Sequence, residues 1–264
     1  MSDDIIDTNK PSAGRMYDYF LGGSHNFEVD RQAGDQVLAM IPFTSKFARL
    51  QRWALGDIAI ELTERRGFDV IIDFASGLPT VEHIHSKVSK GTTVIYSDID
   101  PVVVEYSREI LNGAPDVYYF QSDANFPDQL LNHPEVQKIL AGRRKVAFGF
   151  WGFTFLQKEE EIAHSMRTLY DWAAPGSCVA YNANSVTNKD NPDIQKTQEI
   201  YARLGAPLNV HTLEKHLECI QPWKIEKEGF ISLLDWHGFD KAEVGVDAAS
   251  MGEMGGGFGA YLTK

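Results

Sequence analysis

Cysteine is nearly absent from this 264-residue chain: Cys178 and Cys219 are too few for a disulfide framework or a thiolate metal cluster. There is no run of about 18 apolar residues, so no membrane-spanning helix is expected. Basic charge is scarce, with 25 Lys and Arg against 37 Asp and Glu and a formal net charge of -12. A field of that sign repels phosphate backbones and argues against nucleic acid as a partner. The densest basic groups, Arg65-Arg66 and Arg143-Arg144-Lys145, read as solvated loops ahead of strands. The first residues are acidic and lack the basic head and apolar stretch of an export signal, so a cytoplasmic protein is expected. Repeats and low-complexity tracts are missing too. What is present is a chain 43% apolar and 11% aromatic, enough for a globular core in one large α/β domain.

The patterning changes along the chain. Ser12 reads as the N-cap of a short helix through Phe20, stopped by Gly22-Gly23. A second helix is predicted over 28–41, ending at Pro42. A third starts near Ser45, with Phe47, Leu50, Ala54, Ile58 and Leu62 at helical spacing, and stops at Gly67. Short apolar runs then alternate with helical segments. Strands are predicted over 70–72, 93–96, 117–121, 146–150 and 178–181. Helices are predicted from Pro79 to about Ser89, over 101–111, over 127–140 with a break near Pro134, and over 158–172. Strands so continuously apolar suit a parallel sheet covered on both faces. Beyond them, helices are expected over 193–204 and 212–217. Two strands over 230–234 and 258–262 read as a hairpin, and hence as an antiparallel edge.

In an open α/β sheet, ligands bind beyond the carboxyl ends of the strands at the switch point. The first strand ends in Asp73-Phe74-Ala75-Ser76-Gly77-Leu78-Pro79-Thr80, where small residues let backbone approach a ligand. The second exits into Asp98-Ile99-Asp100, placing a carboxylate where both hydroxyls of a ribose can donate to it. The third exits into Ser122-Asp123-Ala124, a carboxylate for an adenine amino group beside room for the ring. The fourth leads into Phe150-Trp151, an apolar wall. A lone aspartate after a strand is more often a turn former or helix cap. Three acidic exits in succession, with a glycine turn on the first, point instead to a nucleoside-type ligand. The first turn lacks G-x-G-x-x-G, and Pro79 stands where a helix N-terminus would receive pyrophosphate, which argues against a dinucleotide.

This strand-exit series resembles the class I S-adenosylmethionine methyltransferases. More narrowly, Pro11-Ser12-Ala13-Gly14-Arg15-Met16-Tyr17-Asp18-Tyr19-Phe20-Leu21-Gly22-Gly23, with Asn26-Phe27 and Asp30-Arg31, resembles a bacterial family of S-adenosyl methyltransferases. Gly77-Leu78-Pro79-Thr80, His85, the 98–103 tract, Pro175-Gly176-Ser177 and Trp236 fit the same family over nearly the whole chain. The resemblance implies an α/β Rossmann-like fold with a mostly parallel seven-stranded sheet, an antiparallel terminal strand and an N-terminal helical cap. The cap would be 1–66 and the cofactor domain 67–264, together one compact unit. It also implies S-adenosylmethionine as cofactor, bound by the loop of Asp73, Ala75, Ser76 and Gly77, by Asp98 with Ile99 and Asp100, and by Asp123 with Ala124. Ala75 departs from the family's usual glycine. Residues 152–156 and 181–184 lack the histidines the family carries there.

Read physically, Tyr17, Gly22 and Gly23 sit on a helix–turn–helix that would fold over the methionine end of the cofactor; the plainer reading makes Tyr17, Phe20 and Leu21 one face of a packed helix. No metal is expected, because His83 and His85 are two apart on a predicted helix and no H-x-x-x-H occurs. His85 is expected to orient the first turn. His25, His237 and Tyr181 are conceivable proton acceptors, and Asn182 and Asn184 conceivable substrate contacts, with no catalytic residue assigned. Cys178 reads as a packed, inert thiol, and the 252–259 glycine run as a hairpin turn. The expected activity is methyl transfer to a small molecule. The alternatives left open are a non-catalytic sensor of S-adenosylmethionine or its demethylated product, and a nicotinamide oxidoreductase.

Overall fold

Five short runs rich in β-branched and aromatic residues become parallel strands: β1 (Val70–Phe74), β2 (Thr93–Asp98), β3 (Val117–Gln121), β4 (Ala147–Phe150) and β5 (Cys178–Asn184). The computed structural model describes residues 10–80, 82–185, 192–203, 207–239 and 257–264. β1, β2 and β4 are buried at every position, as strands covered on both faces must be. Three further strands complete the sheet: β6 (Lys224–Ile225), β7 (Ile231–Ser232) and β8 (Gly257–Thr263). The order is β3-β2-β1-β4-β5-β8-β6, with β7 also paired to β8. This is a mostly parallel sheet of the Rossmann-like kind, with eight strands among the described residues where seven were expected, because the two-residue β7 joins it.

β8 runs antiparallel to β5 over seven residue pairs, from Cys178↔Thr263 to Asn184↔Gly257. It lies between β5 and β6 and also pairs antiparallel with β7, so the expected antiparallel addition to a parallel sheet is formed. The expected strand over 230–234 is corrected. Only Ile231 and Ser232 pair with β8, after which Ser232 accepts a hydrogen bond from the Asp235 backbone and caps α10 (Leu233–Trp236). Gly257 and Gly259 belong to β8 and not to a turn, while 252–256 lie outside the described residues. A Cβ at Gly259 would come within 2.6 Å of the Trp236 ring.

The helices before β1 follow the expected limits closely: α1 (Ala13–Phe20), α2 (Glu28–Met40) and α3 (Thr44–Ile60), the last running through a π-turn to Arg65. Leu50, Ala54, Leu55, Ile58, Ala59 and Leu62 share one core with Ile71, Val94, Tyr96 and Cys178, so α3 covers a face of the sheet. α1 and α2 form a smaller cluster around Met16, Phe20, Ala33 and Val37. The other helices are α4 (Pro101–Ile110), α5 (Pro127–Leu131), α6 (Pro134–Leu140), α7 (Glu159–Trp172), α8 (Pro192–Arg203) and α9 (Leu213–Cys219). The break before Pro134 falls where expected.

One expected helix is not formed among the described residues. Of those between Pro79 and Ser89, only Ile84–Ser86 makes a single 3-10 turn. The reason is competition for donors: the His83 ring accepts from the Ile84 backbone N–H at 2.9 Å, and the Tyr96 hydroxyl accepts from the His85 N–H at 2.8 Å. Among the described residues no helix is long and apolar enough to cross a membrane.

Candidate functional site

The turn after β1 is fixed from every side. Ala75 (φ +49°) and Gly77 (φ +62°) both take left-handed backbone, a conformation that costs alanine about 1 kcal/mol or more and glycine nothing. The Ser76 N–H donates to Ser97 O at 2.8 Å, and the Ser76 hydroxyl donates to Asp73 O at 2.9 Å. The Tyr119 hydroxyl donates to Gly77 O at 2.7 Å. Since the Nδ1 of His83 accepts from Ile84, its Nε2 carries the proton and donates to Ser76 O at 3.1 Å. Burial holds the His83 pKa well below its usual value, so the ring stays neutral in this role. The residue that props the turn is thus His83 and not His85, which instead meets the Tyr96 hydroxyl.

Asp98, the last residue of β2, links this turn to the next loop. Its Oδ2 accepts from the Gly77 N–H and its Oδ1 from the Asp100 N–H, both at 3.0 Å. Burial pushes its pKa up to about 6, against the pull of these backbone donors. Asp100 caps α4 through Val102 N and also accepts from Arg15 at 3.1 Å. Arg15, 2% exposed, bonds Asp30 at 2.8 Å with its Nε. Asp30 in turn accepts from the backbone N–H of Ser12 and of Phe27. One guanidinium between two carboxylates therefore ties α1 and α2 to the loop that follows β2.

These elements enclose a cavity of about 460 Å³, within the size range of small-molecule sites. The sheet edge contributes Ala75, Ser76, Gly77, Asp98, Ile99, Asp100, Trp151 and Gly152. The helices contribute an apolar wall that includes Phe20, Val37, Ile41, Phe43, Phe47 and Leu55, together with Tyr17, Gln51 and Arg52. The structure brings Tyr17, Ala75, Ser76, Gly77, Asp98, Ile99, Asp100 and Trp151 around one cavity. The glycine turn and the Asp98 carboxylate thus stand on one side of the cavity and an apolar wall on the other.

A family model described as S-adenosyl methyltransferase matches residues 1–259. The chain belongs to that family. Its cofactor is S-adenosylmethionine. Among solved structures, a candidate methyltransferase from Thermobifida fusca YX is 27% identical, aligned over 100% of this chain and 98% of its own, with a TM-score of 0.85. A DUF574 family protein from Streptomyces avermitilis MA-4680 has the same fold at 23% identity, over 98% and 99% of the two chains, with a TM-score of 0.86. Magnesium protoporphyrin IX methyltransferase from Synechocystis PCC 6803, solved with bound SAH, shares the fold at 10% identity and a TM-score of 0.53, over 98% of each chain. A search of curated proteins found no match.

The remaining expected residues of this S-adenosyl methyltransferase family chain lie outside the cavity lining. Asp73 is buried behind the turn, where burial pushes its pKa up to about 7. Asp123 is half-exposed, and its Oδ1 accepts from Asn125 N at 2.8 Å in its own turn. Ala124 belongs to the core and accepts from the Ser165 hydroxyl through its carbonyl. Phe150 stacks on Tyr181 with ring centroids 5.8 Å apart. Gly22 (φ +81°) and Gly23 form the turn after α1. A Cβ at Gly23 would lie 2.1 Å from Asp18 Oδ1.

The conceivable proton acceptors also stand away from the lining. His25 packs edge-on against Tyr106, His237 Nε2 lies 3.0 Å from Leu50 O, and the Tyr181 hydroxyl pairs with His216 at 2.7 Å. Asn182 is committed to Gln51, Gly152 N and Phe258 O, whereas Asn184 lines the cavity. Burial pushes the Cys178 thiol up to about 12, in keeping with an inert group. Among the described residues no set of His, Cys, Asp or Glu is grouped to hold a metal ion.

Sequence reasoning missed Arg52, Gln51 and Arg15. A signal was available for the first two, since Ala48, Gln51, Arg52, Leu55, Ala59 and Leu62 form a helical stripe in which two polar residues interrupt the apolar face.

Proposed function

We propose that the protein transfers the methyl group of S-adenosylmethionine to a small, largely apolar acceptor held in the same cavity. The observation that carries this reading is the single chamber of about 460 Å³ walled by the loops after β1 and β2 on the sheet side and by Phe20, Val37, Ile41, Phe43, Phe47 and Leu55 on the helical side. When bound, S-adenosylmethionine supplies a methyl carbon already activated by its sulfonium. What the protein must add is alignment and exclusion of water.

Asp98 has the geometry to accept from the ribose hydroxyls, since it lines the cavity at the exit of β2 with its carboxylate fixed there by backbone donors. The Ala75–Ser76–Gly77 turn lets the backbone approach the cofactor closely. Tyr17 and Trp151 supply apolar bodies on the helical and the sheet side. Asp123 with Ala124 would meet the adenine, a role resting on the family resemblance. The carboxylate exits and the net charge of -12 suit a cationic cofactor and disfavour a nucleic-acid acceptor.

The test is release of S-adenosylhomocysteine on incubation with S-adenosylmethionine and a panel of small apolar phenols, thiols and amines. Turnover that depends on a panel member supports the reading. Tight cofactor binding with no turnover on the panel, but methylation of added protein or RNA, would reverse it.

A further inference from the structure

Arg52 lies on α3 with only 4% of its surface exposed, and it lines the cavity. Its needs are poorly met. The Nη1 and Nη2 groups reach Leu78 O at 3.5 and 3.4 Å, the long end of hydrogen bonding, and among the described residues its Nε has no hydrogen-bond partner. Among the described residues no carboxylate comes within ion-pair distance of it, in contrast to the two that grip Arg15, although the buried Asp73 is close enough to feel its charge. The guanidinium rests 5.4 Å from the centroid of the Tyr17 ring and also interacts with the Tyr17 hydroxyl, contacts that position it without neutralising it. A buried cation without a counter-ion is costly unless the site is built to receive one.

S-adenosylmethionine carries one anionic group, the α-carboxylate of its methionyl arm; its sulfonium and α-amine are cationic. At the cavity's sheet edge Asp98 is suited to the ribose, and the Ala75–Gly77 turn stands on the same lining as Arg52. We propose that Arg52 binds the α-carboxylate of S-adenosylmethionine and that the aromatic face of Tyr17 holds the guanidinium ready for it. This rests on the cofactor reading above. A guanidinium presents paired N–H donors that match a carboxylate's two oxygens, which lysine cannot reproduce. The assignment gives Tyr17 a function distinct from that of a packed helix face. It also makes the methionyl arm, and not the nucleoside alone, a determinant of recognition.

The experiment compares S-adenosylmethionine with decarboxylated S-adenosylmethionine, which keeps the nucleoside, sulfonium and amine and lacks only the carboxylate. Binding is measured by isothermal titration calorimetry, so the readout is independent of any acceptor. Wild-type protein is expected to prefer the carboxylate-bearing ligand by about 150-fold or more, as two charge-assisted hydrogen bonds imply. Arg52→Met, which keeps the stem packed on Tyr17, is expected to remove that preference while holding decarboxylated ligand within about threefold of wild type. Arg52→Lys should retain part of it. Equal affinity of wild-type protein for the two ligands would overturn the proposal, as would an Arg52→Met that weakens both alike. Wild-type protein that binds neither ligand would overturn the cofactor reading and this proposal with it.

Discussion

Replacing Asp98 with alanine is the sharpest test of how the sheet edge holds a nucleoside. A carboxylate has about four lone-pair positions. In the structure backbone donors hold the carboxylate, with Gly77 N and Asp100 N both at 3.0 Å and a further contact from Ile99 N. The acceptor capacity left over lies on the cavity lining, where a ribose would offer two neighbouring hydroxyls. Hydrogen bonds to a charged group contribute about 1.5–3 kcal/mol each. Losing two at the lower end removes about 3 kcal/mol, or on the order of 150-fold in affinity. The assay is calorimetric titration with S-adenosylhomocysteine at pH 8, where Asp98 is ionised, with circular dichroism to establish that the variant is folded. The same substitution strands the Gly77 and Asp100 amides, so some thermal stability should go as well, by about 1–3 kcal/mol. Asp123→Ala serves as the companion: for a half-exposed group proposed to make one bond to adenine, only about a fivefold loss is expected. A folded Asp98→Ala protein that binds within threefold of wild type would refute the reasoning outright.

The raised pKa of Asp98, about 6 in the free protein, adds a pH dependence. Affinity for S-adenosylhomocysteine should rise with pH, being about tenfold weaker at pH 5 than at pH 8 because only about one carboxyl in eleven is then ionised; a flat profile would show that ionised Asp98 is not needed. Asp73 affects stability in the opposite direction. Its folded pKa of about 7 lies above the unfolded value, so its contribution is fully present below about pH 4 and is lost as pH rises through about 7. Asp73→Asn should therefore raise the melting temperature relative to wild type increasingly from pH 5 to pH 8, and a constant offset would contradict this. Gly149→Ala would place a Cβ 2.0 Å from Asp73 Oδ1, behind the turn after β1, and a loss of roughly 1–3 kcal/mol in chemical denaturation is expected. Arg15→Met leaves Asp30 and Asp100 facing each other without a counter-ion; a loss of about 3–5 kcal/mol and weaker cofactor binding should follow, and unchanged values for both would mean that the clamp is idle.

Local signals carried most of the fold. The apolar runs at β1 to β5 and the proline and glycine stops around α1 to α4 could be read directly, because strand burial on both faces and helix termination are properties of neighbouring residues. The 80–89 segment could not, because its backbone donors go to the His83 ring and to the Tyr96 hydroxyl, which comes from the next strand. The place of β8 was hidden for a similar reason, since a strand's partner is a long-range choice and the 258–262 pattern fits an edge and an inner position equally. At the site, Asp98, Asp100 and the Ala75–Gly77 turn announced themselves through position after a strand. Arg15 did not, since a buried arginine on a helix is indistinguishable in sequence from a solvated one until its surroundings are known, and Arg52 was marked only by its place in the otherwise apolar stripe of α3.

The position of β8 bears on how the chain is made. Five strands emerge from the ribosome in the order that stacks them, yet one flank of β5 stays bare until residues 257–263 follow. During synthesis that flank is a row of open amides and carbonyls beside an apolar face, the kind of edge that recruits stray strands. Final closure is thus a late, long-range event, and the stretch of translation between Asn184 and Gly257 is when a nascent copy most needs protection from its neighbours.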